Sequence, residues 1–256
     1  MPVPLDKNWI RRGLGELFLV IAGILIALQI DNWNDDRIEQ QQIAEYAQAL
    51  IVDLERDLAM ADVIAHEIDL LIQKIDALAD YVDGRSIDAM RNIDLFYLMR
   101  RPYYRPYSWN RSTLEQIMSS GALRQMRNRE LASRISRYAA FTRHLDDDFE
   151  FDRAAGSTAF SMGGRVVDMN YPDVDDLMPI SRPEEFRFPD SEIHEAYAQL
   201  DRELLTTDIA ELRIAVNAYL ALGEKPGIRP RAEAEMPMLR SAAQELIDAL
   251  KNEYPQ

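Results

Sequence analysis

The sequence predicts an all-α protein: one N-terminal transmembrane helix continuing into a long amphipathic helix, followed by a multi-helix bundle. Three observations carry this. From Ile24 to Asp83 there are sixty residues without Gly or Pro, the two residues that most readily end a helix. That run opens inside an apolar segment flanked by Trp9 and Trp33. Beyond it, apolar residues recur at spacings of three and four, and no alternating strand pattern survives anywhere along the chain.

The strictly apolar core, Leu17 to Leu28, is twelve residues, which alone is short for a span. Extending it from Leu14 to Ile30 gives seventeen, interrupted by Gly15, Glu16 and Gln29, with both polar side chains near enough to an interface to snorkel. Trp9 and Trp33 stand about 36 Å apart at 1.5 Å per helical residue, matching two headgroup layers. A cleaved signal peptide calls for a small-x-small site after the apolar core; the chain reads Gln29-Ile30-Asp31-Asn32-Trp33 instead. Lys7, Arg11 and Arg12 precede the span, whereas Arg37 is the one cation in the twenty residues after it. The N-terminus is therefore expected on the cytoplasmic side of the membrane and the rest in the periplasm or outside. With no Cys, neither disulfides nor a lipid-modified Cys enter the argument.

The run Gly15-Glu16-Leu17, Leu19-Val20, Gly23-Ile24-Leu25-Ile26-Ala27-Leu28-Gln29-Ile30 and Asn32-Trp33-Asn34 resembles the N-terminal signature of an uncharacterised family of bacterial single-pass membrane proteins. Leu114-Glu115, Ser120-Gly121 with Leu123, and Leu131 to Tyr138 are similar to that family's later helices, so the resemblance covers roughly residues 13–150. Asp31 and Asp35 depart from the pattern, where Asn and Glu are expected. The resemblance implies an anchor and a helical architecture, and no reaction.

Glu16, Val20, Gly23, Ala27, Ile30 and Asn34 share one helical stripe, and Gly23 with Ala27 makes a small-x-x-x-small step that admits a second helix. One reading is self-association through this seam; the other is that Glu16 snorkels to the headgroups. Trp9, Arg11, Arg12 and Trp33 are the expected interface residues.

After the span, Ile43, Ala47, Leu50, Leu54, Leu58, Ala61, Ile64, Ile68, Leu71, Ile75, Leu78 and Val82 form a sustained apolar stripe. Its breadth favours packing within one chain over a strict two-stranded coiled coil. Gly84 is positioned to end the helix. A short helix is expected over Asp88–Met99, a helix capped by Ser112 and Glu115 and ended by Gly121, and one from Asn128 to about Ala155. Residues 156–190 read as an irregular loop or junction. Ser191–Leu222 and Arg231–Asn252 read as helices, the latter kinked or restarted at Pro237. The expected organisation is thus a 1–13 tail, a 14–34 span, a 35–155 long helix with an Arg-rich helical region, the 156–190 junction and C-terminal helices over 191–256.

Net charge is −15, unevenly spread. Ten Arg lie between Arg100 and Arg143 against Glu115 and Glu130, while Asp31 to Asp83 holds fourteen acids against Arg37, Arg56 and Lys74. Either these blocks dock on one another, or Arg100, Arg101, Tyr103, Tyr104, Arg105, Tyr107 and Trp109 form an exposed contact for an anionic ligand or partner. The acidity argues against nucleic acid.

No catalytic set, cofactor or metal site is expected. His66, His144 and His194 lack the second His of a zincin. Ala159–Gly163 has no preceding strand to make it a nucleophile elbow, and Asp146–Asp152 lacks the Gly turn of a calcium loop. The leading function is a non-enzymatic membrane-anchored scaffold or interaction module, binding membrane lipid and a second copy or an envelope protein. A ligand-sensing bundle or small ion pathway is the alternative, and an unrecognised enzyme the third.

Overall fold

The helix that the Gly- and Pro-free run predicts is one element: α1 spans Lys7–Val82, 76 residues, about 114 Å at 1.5 Å per residue. A computed structural model describes residues 7–171, 199–224 and 227–255, with the side chains of α1 described from Leu17 onward; those of Trp9, Arg11, Arg12 and Glu16 lie outside the described residues. Two residues past its end Gly84 takes φ +67°, a left-handed conformation that turns the chain back. A 3-10 turn at Ile87–Ala89 precedes α2, Asn92–Met99. The single helix expected from Asp88 is therefore split, and Tyr81 sits at the split. Its hydroxyl accepts from the Arg91 backbone N–H at 2.9 Å and donates to Asp94 at 2.8 Å, tying α2 to the end of α1.

An extended segment leads to α3, Ser112–Ser120. The Ser112–Glu115 capping box does not form; Arg111 occupies the cap position, and the chain before it is held instead by Asp57 of α1, which accepts from the Asn110 backbone N–H at 2.9 Å and its side-chain amide at 3.0 Å. After Gly121 and the short α4, Ala122–Gln125, Asn128 caps α5 as its position predicts, accepting from Leu131 N–H at 3.0 Å.

Helix α5 runs Arg129–Gly163, eight residues beyond the expected end at Ala155. Gly156 lies inside it. A Cβ at that position would collide with the Pro102 carbonyl oxygen, so this Gly admits a loop rather than breaking a helix.

Of the helix expected from Ser191, residues 191–198 lie outside the described residues and 199–208 are non-helical; α6 is Ile209–Gly223. Asp201 explains the difference: its carboxylate accepts from Ile93 N–H and Arg91 Nε, each at 3.0 Å, and so serves the N-terminus of α2 from across the chain. Asp208 then caps α6 through Ala210 N–H at 2.8 Å.

A turn at Ile228–Pro230 passes into a π-helical turn, Arg231–Glu235, and then α7, Met236–Glu253. The predicted disturbance at Pro237 is thus a π turn just upstream of it. Pro237 has no N–H to offer the preceding turn, and the Met236 N–H bonds back five residues to the Arg231 carbonyl.

Among the described residues there is no strand. The second half of α1 is the spine of the bundle, with Ile43, Ala47, Leu50, Leu54, Ala61, Ile64, Ile68 and Leu78 all buried. Helix α7 lies antiparallel to it: Gln48 reaches the Tyr254 carbonyl, Glu55 pairs with Lys251 and Asp62 with Arg240, so partners fall in number as α1 rises. Against this frame α2, α3 and α6 also pack on α1, and α5 packs on α6 and α7. The apolar stripe is used within one chain.

Candidate functional site

Two features of the molecule differ from ordinary helical packing. The first is the outer half of α1. It is long and apolar enough to cross a membrane, and none of the apolar window is buried. Phe18 and Leu19 are each 71% exposed, and Val20, Ile24, Leu25, Ile26, Leu28 and Ile30 are all exposed. Of the expected seam, Val20, Gly23, Ala27, Ile30 and Asn34 lie open on this helix, and nothing stands within 4 Å of a Cβ built at Gly23. Trp33 is also exposed, 16 residues beyond Leu17.

The second feature is an ionic cluster where α5 meets the π turn. His144, Asp148 and Asp152 follow one another at i, i+4 spacing, which sets them along one face of α5. The π turn places Arg231 and Glu235 opposite. Arg231 is 5% exposed and its guanidinium serves three carboxylates: Nε to Asp152 Oδ2 at 3.1 Å, Nη2 to Asp148 Oδ1 at 3.2 Å and Nη1 to Glu235 Oε1 at 2.6 Å. Tyr104 donates to the same Asp152 oxygen at 3.0 Å. Three oxygens remain buried without a hydrogen bond: Asp148 Oδ2, Asp152 Oδ1 and Glu235 Oε2. His144 Nε2 stands 3.2 Å from Asp148 Oδ2, close but not aligned as a donor. Burial pushes the Asp152 and Glu235 carboxyls above the usual carboxylate range, with Arg231 opposing it.

The Arg- and aromatic-rich loop forms one wall of this cluster. Tyr104 is buried and packs edge-on against Phe149 at 5.4 Å; Tyr107 stacks on Trp109 at 4.9 Å. Trp109 Nε1 donates to Asp146 at 2.8 Å, Arg111 pairs with the same carboxylate, and Arg105 Nε donates to Glu67 of α1 at 2.6 Å. Arg100 is buried over the rings of Phe96 and Tyr97, and its carbonyl accepts from Lys74 at 2.5 Å. Tyr103 and Arg101 face outward. The seven residues expected to act together are therefore distributed. Tyr104 and Tyr107 face the core, Arg105 and Trp109 hold carboxylates of α1 and α5, and Arg101 has φ +49° at the exit of α2.

Sequence reasoning missed the convergence of His144, Asp148 and Glu235, whose ligand-type atoms all lie within 4.8 Å of one another. The His144-x-x-x-Asp148 spacing was a legible signal; Glu235 enters through the fold alone. Beside the cluster, Asp152 also borders a mainly apolar groove of about 320 Å³ between α5 and α6, lined by Phe151, Ala155, Ala159, Ala218 and Leu222. No protein-family model, curated protein or solved structure matches this chain.

Proposed function

We propose that the protein is a non-enzymatic, single-pass membrane-anchored helical scaffold of the bacterial cell envelope, self-associating through its span, with the bundle outside the cytoplasm. The observation that carries this reading is the exposed apolar cylinder of α1 from Leu17 to Ile30. In water such a surface costs about 25 cal/mol per Å² of apolar area, and soluble monomers rarely expose contiguous patches beyond a few hundred Å². A bilayer removes that cost, and about 20 helical residues suffice to cross it. The basic residues before the span support the orientation, and the family resemblance supplies the bacterial setting. The open face at Gly23 supports a helix–helix seam through Glu16, Val20, Gly23, Ala27, Ile30 and Asn34.

Three substitutions test the parts separately. Ile24→Arg places a charge at mid-span at a cost of about 2.5–3.5 kcal/mol for insertion, so the chain should move from the membrane to the soluble fraction; unchanged fractionation sinks the anchor. Ser161 is exposed on α5, and Ser161→Cys should react with an impermeant maleimide in intact cells. Labelling only after lysis inverts the topology. Gly23→Leu should abolish crosslinked oligomers, and undiminished crosslinking rules out that seam.

A further inference from the structure

The cluster between α5 and the π turn carries an inference independent of the membrane reading. Its carboxylates divide their oxygens in a consistent way. Asp148 gives Oδ1 and Glu235 gives Oε1 to Arg231, while Asp148 Oδ2 and Glu235 Oε2 are buried and make no hydrogen bond. Asp148 Oδ2 is also the oxygen beside His144 Nε2. Unpaired buried carboxylate oxygens are costly to leave unsatisfied, and ligand-type atoms of Asp148, Glu235 and His144 lie within 4.8 Å of one another, so one bound cation could be shared by all three.

Charge makes the same demand. Asp148, Asp152 and Glu235 surround a single guanidinium. Asp152 is 3% exposed and leaves Oδ1 unpaired as well. One Arg against three carboxylates leaves an excess of acidic groups that a bound divalent cation would offset. The backbone adds a third observation, because Glu235 and Arg231 are presented by a π-helical turn, a rare geometry that concentrates at functional sites.

We propose that His144, Asp148 and Glu235 bind a divalent transition-metal ion of the zinc class, with Arg231 and Asp152 as its buried supporting shell. An imidazole nitrogen with two carboxylate oxygens suits Zn²⁺ or Mn²⁺ better than Mg²⁺ or Ca²⁺, which take oxygen alone. A Zn²⁺ about 2.1 Å from each ligand draws the ligand atoms to roughly 3.4 Å separation. The His144 side chain is 57% exposed and free to close that gap. Arg231 holds Asp148 and Glu235 through the opposite oxygen of each, the role that outer-shell partners play at metal centres. Three protein ligands leave a fourth position for water.

The test uses full-length protein in detergent, stripped of metal with chelator and titrated calorimetrically with Zn²⁺, then with Zn²⁺ in the presence of millimolar Mg²⁺ and Ca²⁺. One equivalent should bind, undisplaced by Mg²⁺ or Ca²⁺. His144→Ala and Glu235→Gln should each weaken binding at least about tenfold, while Asp147→Asn, an exposed neighbour on α5, should leave it unchanged. Zn²⁺ should also raise the unfolding temperature of the wild type and not of His144→Ala. Because His144 is largely exposed, that variant keeps the fold, and its unfolding temperature without metal checks this. Binding that persists in His144→Ala, or no saturable binding by the wild type, overturns the site.

Discussion

Between Leu17 and Ile38 helix α1 is exposed on every face, with Ala22 alone half-buried; between Ile43 and Val82 the same helix buries every third or fourth side chain to near zero exposure. Nothing in the backbone marks the change. What changes is the pattern: apolar residues all round from Leu17 to Leu28, a polar stretch from Asp31 to Arg37, then an apolar stripe backed by acids. A striped helix has one face to bury and finds it in α2, α3, α6 and α7. A uniformly apolar segment has no polar face to leave in water, and this one, none of it buried in the bundle, is long and apolar enough to cross a membrane.

The widest separation between the halves should appear on truncating a leucine in each. Leu54 is fully buried and Leu25 is 58% exposed. Leu54→Ala should cost about 2–5 kcal/mol, the range for a buried large-to-small change, read from urea unfolding in detergent by circular dichroism. Leu25→Ala should stay within about 0.5 kcal/mol. Equal losses would break the division, because they would require the outer half to fold with the bundle.

This division was legible in sequence because it rests on periodicity and on the absence of Gly and Pro, both local properties. Asn128 was legible as a cap for the same reason: its partner Leu131 is three residues away. The misses share a different cause. Gly156 stays helical because the Pro102 carbonyl needs the space of its missing Cβ, and residues 199–208 stay non-helical because Asp201 serves the N-terminus of α2. The Ser112 box gives way to Asp57, 53 residues before Asn110. In each case a long-range partner outcompetes a local preference. The cluster follows the same rule: its α5 members sit at visible spacing, while Arg231 and Glu235 arrive through the π turn that Pro237 favours.

A second contrast is electrostatic and belongs to the buried half. Burial, with Arg100 and Arg101 nearby, lowers the Lys74 ammonium from 10.5 to about 7. Below about pH 7 folded and unfolded chains both carry that proton, and the cost of burying the charge is present in full. From about 7 to 10.5 only the unfolded chain carries it, so stability should rise with pH across that window. The slope has a ceiling of about 1.4 kcal/mol per pH unit. Urea midpoints of wild type and Lys74→Met, compared at intervals across the window, should diverge by that slope; parallel curves would show that Lys74 is solvated.

The smallest effect is expected where the halves meet. Arg127, just before α5, pairs with Asp36 of α1 at 2.6 Å, and both side chains are more than half exposed (69% and 51%). An ion pair in water at this exposure is worth about 0.2–1 kcal/mol, and Arg127→Ala should lose that much at low salt and less as salt screens the pair. The measurement sharpens the boundary because Asp36 stands two residues before Ile38, the last exposed apolar side chain before the buried stripe begins at Ile43. A loss well above 1 kcal/mol, insensitive to salt, would mean the pair is desolvated in the assembled protein. Headgroups or a second copy would then reach down to Asp36, and the line between the exposed half of α1 and the bundle would have to be drawn closer to Ile43.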